Sequence, residues 1–151
     1  MNRIAIGLLA AALAAGPAIA AEKDDVMLPI RQFVDGFNKG DVKSAVAACA
    51  EQTSIIDEFP PYEWHGAGGC AAWMRDYDSY ATKQGISNGH VTLGSPKHVD
   101  IAGDRAYVVI PSSYVFKRDG KMLEEKGSFF TFALRKEAGG WRIASWSWAK
   151  N

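Results

Sequence analysis

Asp57 is the residue of this chain most open to chemistry. It lies in the run 54–59, which reads as a short strand, directly before Glu58. Neighbours on a strand point to opposite faces, so one carboxylate enters the interior and the other is solvated. We assign Asp57 to the interior and Glu58 to the surface. An interior carboxylate is either an ordinary hydrogen-bonded core group or a general base or ligand contact, and both readings stay open. His65, His90 and His98 stand singly, without the spacing of a metal site, and each reads first as a surface or core histidine.

Other familiar chemistry is absent. There is no nucleophile elbow, phosphate-binding loop or zinc motif. Gly66-Ala67-Gly68-Gly69-Cys70-Ala71 fits the glycine-rich dinucleotide fingerprint with its final alanine variant. Pro60-Pro61 and the residues after it separate that run from the strand. No acidic residue lies between Asp78 and Asp100 to take a ribose, and no parallel sheet follows. The run reads instead as a helix opening where small residues allow close packing, and no cofactor is expected. Lys+Arg and Asp+Glu both number 17. A neutral chain with scattered basic residues argues against an electrostatic nucleic-acid binder.

Residues 1–20 read as a cleavable signal peptide. Arg3 supplies a positive start, 4–15 is a short apolar stretch, and Ala18-Ile19-Ala20 is a small-x-small cleavage site. The stretch is too short to cross a bilayer, and Gly16-Pro17 interrupts it. No later segment is suited to spanning a membrane. A periplasmic or secreted protein of one domain, residues 21–151, is expected. In such an oxidising compartment Cys49 and Cys70 can pair, joining the end of a second helix to the start of a third. The alternative is two small buried hydrophobes on helix faces.

The elements that must position these groups fall into a helical first half and a strand-rich second half. Val26, Ile30, Phe33, Val34 and Phe37 recur at helical spacing, with Pro29 marking a first turn or a kink. Asn38-Lys39-Gly40 stops this helix, and Asp41 caps a second, whose buried stripe includes Ala45 and Cys49. A third helix runs from about 67 to 83. From there strands are expected at 90–101, 106–117, 122–136 and 141–150, divided by turn residues into an antiparallel meander. Pro111 should mark a bulge or an edge. Helices followed by a meander predict an α+β domain with three helices on one face of a curved antiparallel sheet.

Aromatic residues crowd that meander. By alternation Phe130, Phe132 and Leu134 share one face, and Trp146 and Trp148 share a face with Ala144. Many of these rings must pack as core, yet a strongly curved sheet can leave a cavity lined by the remainder. Tyr77, Tyr114, Phe130, Trp146 and Trp148 are candidate lining residues, with Tyr62, Trp64 and Trp73 as a mouth.

Four stretches carry a resemblance: 30–41, the strand with Asp57 before His65-Gly66, Gly103-Asp104-Arg105-Ala106-Tyr107, and Gly139-Gly140-Trp141-Arg142-Ile143. In this order the chain resembles the nuclear transport factor 2-like superfamily, including ketosteroid isomerases, scytalone dehydratase and SnoaL-like cyclases. The resemblance implies a cone-shaped roll whose sheet wraps a cavity closed by helices. It sets Asp57 at the position of the isomerase base, but Phe33 and Phe130 where a tyrosine and a protonated acid would hold an enolate. Steroid isomerisation by that route is therefore not expected. Dehydratase chemistry would pair Asp57 with a histidine, for which His65 and His90 are the candidates.

Two functions follow as expectations. The first is an exported module that binds a small apolar or aromatic molecule, with a homodimer allowed. The alternative is a lyase or isomerase using Asp57 as general base. A purely structural role would require the cavity to be filled by side chains.

Overall fold

The computed structural model describes residues 16–151; the body of the expected signal peptide lies outside them. Helix α1 (Gly16–Lys39) buries Val26, Ile30, Phe33 and Val34, the stripe that the sequence spacing requires. Pro29 sits inside this helix and not in its first turn, so of the two expected placements the interior one holds. The helix closes with a Schellman motif: Gly40 at φ +69, its N–H on the Phe37 carbonyl at 3.1 Å and the Asp41 N–H on the Gly36 carbonyl at 2.8 Å. Asp41 then caps α2 (Val42–Ala47) by accepting from the Ser44 N–H.

Cys49 is not the end of that helix. It opens β1 (Cys49–Ile56), which starts five residues before the expected strand and stops before Asp57. A strand absent from the sequence reading, β2 (Glu63–Ala67), pairs antiparallel with β1 and occupies the residues just ahead of α3 (Gly69–Lys83). Gly68, at φ +74, opens α3 by donating to the Glu51 carbonyl at 3.1 Å. At Gly69 an added Cβ would lie 2.9 Å from the Thr53 carbonyl oxygen. The small-residue run is therefore where α3 lies tight on β1. Cys49 and Cys70 form a disulfide with Cα atoms 6.4 Å apart, inside the reach of the bond.

The single long strand expected at 90–101 is two strands, β3 (Ile86–Leu93) and β4 (His98–Ala102). Both pair with β5 (Arg105–Arg118). The Pro111 carbonyl accepts from the Gly94 N–H at 2.8 Å. Pro111 therefore turns its donor-less nitrogen toward the break between β3 and β4, where no ladder bond is lost. A register shift follows it, between Ser112 and Tyr114. Next come β6 (Lys121–Glu137) and β7 (Gly140–Ala149).

The sheet order is β2-β1-β7-β6-β5-β3, with β4 also on β5. The sheet is mixed rather than wholly antiparallel, because β1 runs parallel to β7. A register shift between Ala133 and Leu134 puts Ala144 out of step. Alternation therefore resets along β7, and Ile143 and Trp146 are both buried. The helices cover one face of this curved sheet. Asn38 fixes α1 across it, its amide accepting from the Val91 N–H at 2.7 Å and donating to the Val91 carbonyl at 2.8 Å. Among the described residues no helix is long and apolar enough to cross a membrane.

Candidate functional site

Between helices and sheet lies a cavity of about 290 Å³. Helix α3 contributes Trp73, Tyr77 and Tyr80 at helical spacing, and β5 contributes Tyr114, Phe116 and Arg118 on one strand face. Rings stack along the wall: Trp73 on Tyr77 with centroids 5.5 Å apart, and Tyr114 on Phe116 at 4.9 Å. Trp73 also meets Trp146 edge to face at 4.8 Å. Trp146 is 2% exposed, and its indole N–H has no hydrogen-bond partner among the described residues.

Asp57 reaches this cavity from the turn that follows β1, where its N–H donates to the Tyr62 carbonyl at 3.1 Å. Its carboxylate accepts from the Glu58 N–H and from the Trp73 indole N–H, both at 2.8 Å. Burial disfavours the charged form and pushes the carboxyl up to about 6, against the pull of those two donors. Because the strand has ended, alternation does not separate Asp57 from Glu58. Both line the cavity; Glu58 remains exposed, as expected, and stands at the rim. Glu58 pairs with Lys150 at 3.0 Å, and Lys150 also reaches Glu125 at 2.7 Å. Burial raises the Glu58 carboxyl as well.

Two hydroxyls complete the polar part of the wall. Those of Tyr77 and Tyr114 are hydrogen-bonded to each other, and burial drives both phenols above their ordinary range. At Gly89 an added Cβ would stand 2.5 Å from the Tyr114 hydroxyl, so the missing side chain on β3 is what admits that group.

Of the residues expected at the site, Asp57, Trp73, Tyr77, Tyr114, Phe130, Trp146 and Trp148 line the cavity. Tyr62 does not; it is 57% exposed on the loop. Trp64 is buried behind Phe59, at 4.9 Å between rings, with its indole N–H on Asp76. His65 faces solvent on β2. His90 is exposed and borders a separate groove between α1 and β3. Neither histidine joins Asp57. Phe33 and Phe130, where the resemblance places enolate-holding donors, supply ring surface only. The sequence reading missed Glu58, Arg118, Glu125 and Lys150, charges whose convergence depends on sheet order. Tyr80 was detectable at helical spacing from Trp73. No group of His, Cys, Asp and Glu among the described residues could hold a metal ion.

A curved sheet closed by helices around an aromatic cavity, with a carboxylate in its wall, defines a cone-shaped α+β domain. The SnoaL-like domain family matches residues 26–148, and the chain belongs to that family. The fold is shared with a nuclear transport factor 2-like protein of cystatin-like fold from Novosphingobium aromaticivorans. That likeness has 18% identity, TM-score 0.71, and covers 91% of this chain and 87% of that one. A superfamily member from Salmonella enterica is similar at 15% identity and TM-score 0.73, covering 87% and 92%. A hexachlorocyclohexane dehydrochlorinase from Novosphingobium barchaimii is similar at 8% identity and TM-score 0.74, covering 88% of each chain. No curated protein matches the sequence. At these identities the likenesses establish the fold, which carries enzymes and binding proteins alike.

Proposed function

We propose that the protein binds a small, mostly apolar or aromatic molecule in this cavity and orients it against Asp57. One juxtaposition carries the reading: a carboxylate held by Trp73 in the wall of a space otherwise bounded largely by rings. The rings offer apolar surface worth about 25 cal/mol per Å² covered, and Asp57 adds a directional acceptor. Trp73, Trp146 and Trp148 make the test direct. Titration with 4-nitrophenol, a ring bearing one donor, should quench tryptophan emission saturably, and Asp57→Asn should weaken the binding. Quenching that never saturates overturns the reading.

A second reading has Asp57 as the general base of a lyase or isomerase. It is favoured by the carboxyl standing at about 6, close to the working range of a proton acceptor, with the tyrosine hydroxyls as neighbouring donors. Turnover of a substrate, once found, should then rise with pH through about 6 and vanish in Asp57→Asn. We also propose that the chain is exported and cleaved after Ala20, leaving 21–151 as the working domain.

A further inference from the structure

The charges around the cavity are unevenly distributed. At one end Asp57 lies near Glu58 and Glu125, three acids with one base, Lys150, which bridges the two glutamates. Glu125 lies opposite Tyr114 in the β5–β6 ladder. Arg118 lies four residues further along β5 on the same face, its Cα about 13 Å from that of Tyr114 at ordinary strand rise.

Arg118 differs from Lys150 in having no carboxylate. It takes part in no ion pair among the described residues, and its Nε is shielded from solvent with no acceptor. The guanidinium carbon stands 5.3 Å from the centroid of Phe116, a contact that orients the fork without neutralising it. The surrounding turn adds positive charge, because Lys117 precedes Arg118 and Lys121 lies opposite it. The one acid of the turn, Asp119, is directed to Gly85, its Oδ1 within 2.5 Å of where a Cβ there would be. A shielded N–H in a partly dry wall with no acceptor is a donor left unsatisfied. A planar carboxylate matches the guanidinium fork.

We infer that the ligand is a ring-bearing carboxylate, its anionic group on Arg118 and its ring along Phe116 and Tyr114 toward the Asp57 end. The inference rests on the proposal that the cavity binds a small molecule, and it names the chemical class. The acidic end would repel the carboxylate, so the two ends together fix which way the ligand lies.

Isothermal titration calorimetry of the purified chain at pH 7.5 with 2-naphthylacetate and with its neutral isostere, 2-naphthylacetamide, tests this. The acid should bind about tenfold tighter or more, as a charge-assisted contact implies. Arg118→Met should bring the acid down to the level of the amide, Arg118→Lys should keep part of the preference, and Lys117→Met should keep all of it. Equal binding of acid and amide to the native protein overturns the carboxylate while the cavity reading stands. A preference that survives in Arg118→Met also overturns it. Binding of neither compound overturns the cavity reading and this inference with it. The acid–amide comparison needs no variant, so it decides even if Arg118→Met fails to fold.

Discussion

The indole N–H of Trp73 lies 2.8 Å from the carboxylate of Asp57, joining the middle of α3 to the turn after β1. This contact fixes where the Asp57 carboxylate points. It also couples the acid's ionisation to the stability of the fold.

Burial raises the Asp57 carboxyl from 3.8 to about 6, so the folded protein holds this proton more tightly than the unfolded chain. The stabilisation from the protonated group is complete below about pH 4 and is lost as pH rises through about 6. On the order of 2–3 kcal/mol is involved. Urea unfolding at pH 4 and pH 7.5 should show that loss in the native chain, and Asp57→Asn should lack it. Identical pH dependence in both proteins would refute the assignment.

Tyr77 and Tyr114 satisfy each other's hydroxyl. Tyr77→Phe or Tyr114→Phe strands the remaining group and should each cost about 1–2 kcal/mol. The double variant should cost less than the sum of the two, with a coupling of about 1 kcal/mol in a double-mutant cycle. Additive costs would show that the hydroxyls do not depend on each other.

The Cys49–Cys70 disulfide closes a separation of 21 residues. In the chain-entropy account, reduction should lower unfolding free energy by roughly 3 kcal/mol. Guanidinium unfolding with and without reductant measures it. Alkylation of unreduced native protein should label no thiol.

Gly36 faces α2, and an added Cβ would lie 2.7 Å from the Ala45 backbone nitrogen. Alanine inside a helix normally gains about 1 kcal/mol over glycine. Here the overlap is with backbone, so Gly36→Ala should destabilise by about 1–3 kcal/mol. A raised melting temperature would show that α2 shifts freely.

Much of the fold was legible because it rests on periodicity. The α1 stripe, the Asp41 cap and the three meander strands follow from spacing and turn residues. Strand β2 was not legible, because Trp64 is its one large apolar residue, set between Glu63 and His65. The sheet's parallel pairing leaves no local signature. Asp57 was expected in the cavity for the wrong reason. The strand ends at Ile56, and a turn closed on Tyr62 aims the side chain where alternation was expected to do so. Glu58, Glu125 and Lys150 come from three separate regions and meet only after the sheet order places β7 beside both β1 and β6.

The parallel seam between β1 and β7 sets the order in which the molecule can be completed. Ile55 pairs with Trp146, so β1 finds its second neighbour only after β3 to β6 have been made. Until β7 is available, β1 and β2 form a two-stranded hairpin held against α3, with the other edge of β1 unpaired. Closing so long a loop slows folding relative to the local hairpins of the meander. The chain thus stays open along this seam until β7 is in place, and the wall of the cavity that carries Trp146 is among the last parts of the fold to form.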